Sequence, residues 1–255
     1  MHTDPAFYAV AVPAVIILGL AKGGFSGLGV LAVPLMALVI SPVEAASITL
    51  PILMVQDVVS VWVFRHTWDG RSILTLLPGA VVGVGLGYLL AAHVSVAAVE
   101  LAVGLTAIVF GTQRVWKHWQ PLAPAQDASL LKGAVCGVAS GFTSQIAHAG
   151  GLPFQIYMLP KRLPPAVFIG TSSLYFAAVN WLKVPAYLAL GQLTRMTLTT
   201  AAALLPLAIV ATLGGAYLIQ RISGRRFYLV VYVLLIAVGA KLVWDGAGLM
   251  GSAQH

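Results

Sequence analysis

The stretch ILTLLPGAVVGVGLGYLLAA (Ile73–Ala92) carries no charged side chain. At about 20 apolar residues it is long enough to cross a bilayer as a helix. Ala46–Phe64 reads the same way, with Asp57 as its one charged residue. A polypeptide inside a bilayer must satisfy its own backbone, which leaves helices or a closed barrel. A barrel shows short segments of alternating polarity, whereas these runs are long and rich in Leu, Val, Ala and Gly. Of the 255 residues, 60% are hydrophobic and 8% charged, with a mean hydropathy of +0.95. Soluble domains carry about a quarter charged residues. The expected fold is an all-α polytopic membrane protein.

Composition also limits function. A net charge of +7 in a soluble protein suggests nucleic acid or acidic partners. In a membrane protein the simpler reading is basic residues gathered on the cytoplasmic side, with no nucleic acid involved. Cys136 is the sole cysteine, so neither an intramolecular disulfide nor a cysteine-ligated metal centre is expected. No metal site and no cofactor is expected. Met1–Pro5 lacks the basic cluster of a signal peptide, and Lys22 follows the first apolar run; that run is expected to be retained.

The stretch Leu77–Trp116 resembles Leu205–Trp244 at a constant offset of 128: Pro78 matches Pro206, Gly87 matches Gly215, Gly111 matches Gly239 and Trp116 matches Trp244. Earlier in each half the offset is 122, with Gly29 matching Gly151, Pro42 matching Pro164 and Thr49 matching Thr171. The change implies about six extra residues in the second half, expected around Lys183–Thr194. Ordered matches across both halves predict an internal duplication, a common transporter feature. The expected boundaries are a first membrane repeat at 1–120, a cytoplasmic linker at 121–129 and a second repeat at 130–255.

Five apolar elements are expected per half: 5–21, 28–41, 45–64, 72–92 and 97–116, then 130–146, 150–160, 165–182, 195–219 and 226–245. The first two of each half are short and glycine-broken, either two short helices or one re-entrant hairpin, giving 8–10 membrane elements. Each repeat is thus a glycine-broken hairpin plus three transmembrane helices. An odd count makes the repeats inverted in topology. With the linker inside, Lys22, Arg65, Arg71, Arg114, Lys117, Lys132, Lys161, Arg162, Arg221, Arg225 and Arg226 fall on the inner side. Lys183, Arg195 and Lys241 fall outside. This positive-inside bias puts both termini on the outer, periplasmic side.

The hairpins break the apolar pattern. Around Lys22, Gly23, Gly24, Phe25 and Ser26, glycines and a lysine interrupt a single run, and the backbone is expected to unwind there. Unwound backbone at membrane depth survives when buried in protein or lining a wet cavity. Freed N–H groups beside a lysine favour an anion; the bland alternative is a cytoplasmic turn with a snorkelling lysine. The corresponding stretch Ser140–Gly151 is also interrupted, and carries Thr143, Ser144, Gln145 and His148. Paired interruptions mark a transporter's binding site, so Thr143, Ser144 and Gln145 are expected opposite Lys22 near the midplane. Deep in a span, Gln56 and Asp57 are expected to face the bundle. Asp57 either pairs with Lys22, carries a coupling proton, or makes a structural interhelical bond. Asn180 is a weaker counterpart in the second half; His148 either contacts substrate, titrates, or packs neutral. Arg65, His66, Trp68 and Asp69 read as an interfacial loop, Trp116, Trp119 and Trp244 as an aromatic belt, and Gly79, Gly83 and Gly87 as a close-packing face.

The glycine-rich first hairpin running into Val33–Pro34–Leu35, then Pro42, Ala45–Ala46 and Thr49, resembles the TauE/SafE sulfite-exporter family, also called the toluene-sulfonate uptake permease family. Gly141, Gly150 and Gly151, then Pro164 and Gly170–Thr171–Ser172, repeat that layout, so the resemblance covers roughly residues 8–245. It implies transport of small organosulfur anions such as sulfite or sulfonates, in or out of the cell, across a bacterial inner membrane. Gln145 and His148 depart from the denser glycine run of the family. For a substrate with an apolar tail, Phe25, Phe142, Tyr175 and Trp181 are the nearest aromatic residues. A secondary carrier working by alternating access is expected, with proton or sodium coupling open; a gated anion channel or passive facilitator is the alternative. An intramembrane aspartyl protease would need a second deep carboxylate, and an ATP-driven pump a P-loop pattern, and neither is present. A monomer and a homodimer fit equally well.

Overall fold

The computed structural model describes residues 4–23, 28–91, 93, 95–118, 129–218 and 225–252, and every regular element among them is helical. The first half consists of α1 (Pro5–Gly23), a 3₁₀ turn (Leu28–Leu31) entering α2 (Ala32–Met36), α3 (Pro42–Phe64), α4 (Gly70–Ala91) and α5 (Val96–His118). The second consists of α6 (Leu130–Ala147), α7 (Gly151–Met158) with a closing 3₁₀ turn (Leu159–Lys161), α8 (Pro165–Ala189), α9 (Arg195–Leu218) and α10 (Arg225–Ser252). α1, α3, α4 up to Leu90, α8 and α9 are long and apolar enough to cross a membrane, and Leu101–Gln113 is a shorter apolar stretch. With five and eight residues, α2 and α7 fall far short of the roughly 20 a span requires. Neither short helix is by itself long enough for a full span.

Local chemistry sets the helix ends. The Ser41 hydroxyl accepts the Glu44 N–H and Pro42 opens α3; Ser129 does the same for Lys132 at α6. Both are favoured N-caps. Asp69 caps α4, accepting the Arg71 N–H and the Ser72 hydroxyl. α8 gives way to a loop containing Gly191, whose φ of +65° suits a residue without Cβ. The change of offset falls in the helix ends on either side of that loop. By the earlier offset α8 would end at Ala186, matching Phe64, yet it runs three residues further. By the later offset α9 would begin at Leu198, matching Gly70, yet it begins three residues earlier. The six extra residues lengthen two helices instead of enlarging a loop.

Packing falls into three apolar clusters. One joins α1, α2, α3 and α9 through Phe7, Val33, Ile48 and Leu204. Another joins α4, α6, α7 and α8 through Leu76, Cys136, Phe154 and Tyr175. The third holds the inner turns of both hairpins (Leu28, Leu31, Ala147, Ala149) against α5 and α10 (Phe110, Leu242). Principal contacts run α1 to α9, α4 to α6, α5 to α10 and α3 to α8, with α3 also on α9 and α4 on α8.

Glycines permit the closest of these approaches. A Cβ on Gly83 would lie 2.0 Å from the Val138 carbonyl oxygen, and one on Gly141 2.2 Å from that of Ala80, so α4 and α6 touch backbone to backbone. Gly23 is equally tight, with a Cβ falling 2.4 Å from the Ala216 nitrogen on α9. Gly79 and Gly83 thus serve the packing role expected of them, while Gly87 lies under the Gln145 side chain.

One charge differs from expectation. Lys183, assigned to the outer surface, is 0% exposed. The sequence places it past the end of a span that in fact continues to Ala189. At the α3–α4 corner Lys161 is tied to Asp69 (3.7 Å) and to the Ser72 hydroxyl (2.8 Å). Partial burial works against ionisation of Asp69, but the Ser72 hydroxyl, Lys161 and the Arg71 and Ser72 N–H groups outweigh it. They hold the carboxyl below its ordinary range. Trp181 is the reverse case among the aromatic residues named above: it faces outward, 61% exposed.

Candidate functional site

A cavity of about 90 Å³ lies where the two hairpins meet α3 and α8. Its polar wall is made by Lys22, Ser144, His148, Gln155, Ser172 and Asn180. Its apolar wall includes Leu18, Leu53, Phe154 and Phe176.

Lys22 closes α1. A helix end leaves carbonyls without intrahelical partners, and the Lys22 carbonyl is taken up by the Ser60 hydroxyl of α3 at 2.8 Å. Ser173 of α8 adjoins Ser60 at 2.5 Å. Since the Ser60 proton is committed to Lys22, Ser173 donates. The Lys22 ammonium is ion-paired with Asp57 and lies 5.5 Å from the Phe176 ring centre. The second Asp57 oxygen accepts from the Asn180 amide at 2.6 Å. Lys22, Asp57 and Asn180 therefore link α1, α3 and α8 in one buried network, and of the roles open for Asp57 the geometry is that of a counterion to Lys22.

The second hairpin supplies the facing wall. α6 ends at His148 in the left-handed conformation (φ 50°, ψ 26°). The N–H groups of His148 and Ala149 return to the Ser144 and Thr143 carbonyls, a termination that normally uses glycine. A histidine there carries backbone strain, and its ring is fixed at both nitrogens. Nε2 is 2.9 Å from the Ala46 carbonyl and Nδ1 is 2.5 Å from the Lys183 side-chain nitrogen. Lys183 also reaches the Ser144 hydroxyl (3.2 Å) and carbonyl (3.3 Å). The Tyr187 hydroxyl donates to the Gln145 carbonyl at 3.2 Å. The Ser144 hydroxyl oxygen accepts from Lys183, and Ser144 lines the cavity. Gln155, from α7, is 4% exposed and its carbonyl oxygen has no partner. An amide so placed is costly unless something in the cavity meets it.

The expected site residues thus separate. Lys22, Ser144, His148 and Asn180 line the cavity, with Asp57 directly behind. Gln56 is fully buried but turned to α9, donating to the Ala208 carbonyl at 3.4 Å. Thr143 bonds back to the Ala139 carbonyl of its own helix. Gln145 lies over Gly87, and Gly23 faces α9. Gly24, Phe25 and Ser26 lie outside the described residues. The aromatic residues at the cavity are Phe154 and Phe176. Tyr175 stacks behind Phe154, 5.0 Å between ring centres, and Phe142 packs along α4.

Sequence reasoning missed Gln155, Ser172, Lys183 and Tyr187. A signal for the last two exists: Phe176, Asn180, Lys183 and Tyr187 follow the four-three-four spacing of one helix face.

The model of the sulfite exporter TauE/SafE family matches residues 11–242. No curated protein and no solved structure matches the chain. The chain belongs to the TauE/SafE family, a family of membrane transporters, and is itself a multi-pass membrane protein.

Proposed function

We propose that this family member is a secondary carrier for small organosulfur anions, sulfite or short sulfonates, and that the cavity between the hairpins is its binding site. The observation that carries the reading is the make-up of the wall. Lys22, the Ser144 hydroxyl and the first turn of α7 at Gly151 all border one small space and can offer it hydrogen-bond donors or positive potential. A three-oxygen sulfur head needs several donors and one cation, and a short tail would meet Phe154 and Phe176.

Inverted repeats working by alternating access are supported by the packing. Exchanging α1 with α6, α3 with α8, α4 with α9 and α5 with α10 turns the α1–α9 contact into α6–α4 and returns α3–α8 and α5–α10 to themselves. It also converts the first apolar cluster into the second. The repeats are then 1–120 and 130–255. Removing Lys22 and Lys183, both internal, from the charge count leaves its bias in place, so both termini remain assigned to the periplasmic side of a bacterial inner membrane.

The test is thermal stabilisation of the purified protein by sulfite and by sulfonates of increasing size. Wild type is expected to be stabilised by the smaller anions and Lys22→Ala to lose that response. Equal stabilisation of both would remove Lys22 from the site. Counterflow in proteoliposomes separates a carrier from a channel: a carrier accumulates labelled anion against unlabelled anion, and a channel does not.

A further inference from the structure

Two lysines enter this buried region, and their surroundings differ. Lys22 has Asp57. Lys183 has no carboxylate partner among the described residues, although it is 0% exposed. The charged side chains close enough to act on it are Lys22 and Asp57, and Asp57 is already engaged by Lys22 and Asn180. Those near His148 are Lys183 and Lys22; Tyr187 adds a neutral hydroxyl 3.5 Å from Nε2.

The ring contacts define how many protons the pair can hold. The Ala46 carbonyl can only accept, so Nε2 carries a hydrogen and Nδ1 presents its lone pair to Lys183. One proton beyond neutrality fits in the 2.5 Å gap between the two nitrogens; two cannot, because both nitrogens would then be donors. With that one proton the pair is a buried cation without a counter-charge, an unfavourable state. The missing negative charge can arrive in the cavity whose wall His148 and Ser144 form, and an anion there favours the protonated pair.

We propose that the Lys183–His148 pair takes up one proton together with the anion, so that each transport cycle moves a proton and an anion in the same direction. The inference rests on the carrier reading above and assigns its coupling ion. The proton resides on the Lys183 nitrogen, shared with His148 Nδ1, and leaves when the anion leaves. Lys183 does not itself line the cavity; it acts through Ser144 and His148.

The probe is methanesulfonate, a strong acid whose own charge is constant from about pH 6 to 9. If one proton binds with each anion, the apparent Kd of the wild type weakens up to about tenfold per pH unit over the alkaline part of that range. Lys183→Gln and His148→Gln are expected to flatten that slope to about twofold or less. A wild-type Kd independent of pH overturns the proposal, as does a slope that survives in both variants and vanishes in Asp57→Asn. A second measurement needs no variant. In weakly buffered proteoliposomes held at zero potential by potassium and valinomycin, methanesulfonate entry is expected to acidify the lumen. Anion entry with unchanged lumenal pH overturns the coupling and leaves the carrier reading standing. Absence of both binding and entry removes the carrier reading and the coupling with it.

Discussion

The two hairpin tips differ in where each half keeps its positive charge. At the offset of 122, Lys22 corresponds to Ser144, and Lys183 to Val61. The first half carries its lysine on the hairpin, and the long helices α3 and α8 hold it through Asp57 and Asn180. The second half carries its lysine on the long helix, and the hairpin holds it through Ser144 and His148. The two halves therefore hold their lysines by different chemistry: one is balanced by a carboxylate within the protein, and the other has hydroxyl, carbonyl and imidazole partners. Neighbouring positions follow the same asymmetry. Gly23 and Gln145 correspond, and each meets a corresponding glycine, Gly215 or Gly87.

The strongest way to break this comparison is to remove one partner of the balanced lysine. Asp57→Ala leaves Lys22 largely buried and without its carboxylate partner, and stability is expected to fall by about 3 kcal/mol. Lys183→Met strands no carboxylate, and is expected to cost about 1–2 kcal/mol through the hydrogen bonds lost at Ser144 and His148. Thermal unfolding in detergent measures both; equal losses would mean the two lysines are not held differently. Next in size is Gly23→Gln, which installs the second half's residue in the first. Its side chain has no room against α9 and is expected to cost about 1–3 kcal/mol, read as a lowered Tm.

The matched threonines give a smaller contrast. Thr171 accepts the Asp69 N–H at 2.8 Å, so Thr171→Val is expected to cost about 1 kcal/mol. Thr49 bonds to the Ala45 carbonyl of its own helix, and Thr49→Val is expected to cost less than about half of that. The smallest effect belongs to Asp69. Its carboxyl is held below the ordinary 3.8 in the folded protein. Its contribution is therefore present above that value and is lost as pH falls through the folded one. The Tm difference between wild type and Asp69→Asn is expected to close as pH drops from about 5 toward 3.

Much of the fold was legible because apolar runs, serine caps and glycines act locally. The expected elements agree with the helices to within a few residues at most ends, and Ser41 and Ser129 mark starts that any reader of caps would find. Lys22, Ser144, His148 and Asn180 converge because paired interruptions in a membrane segment have few places to go. Lys183 was not legible by the same rules. A lysine followed by Val184 and Pro185 resembles the end of a span, and only the tertiary partners at Ser144 and His148 make its burial tolerable. Gln155 escaped notice for a different reason: it sits in an eight-residue helix whose direction depends on the packing of Phe154 and Tyr157. Gln56 and Gln145, polar and deep, have the sequence character of site residues, yet they lie at other helix contacts, against Ala208 and Gly87, with their side-chain carbonyl oxygens unpartnered.

The buried Cys136 has a practical consequence. It is the chain's sole thiol, 8% exposed and packed among α4, α7 and α8. A cysteine introduced at an exposed position such as Arg195 would then react with impermeant maleimides over a poorly reactive background. Sidedness in the membrane could be followed by labelling the otherwise native polypeptide.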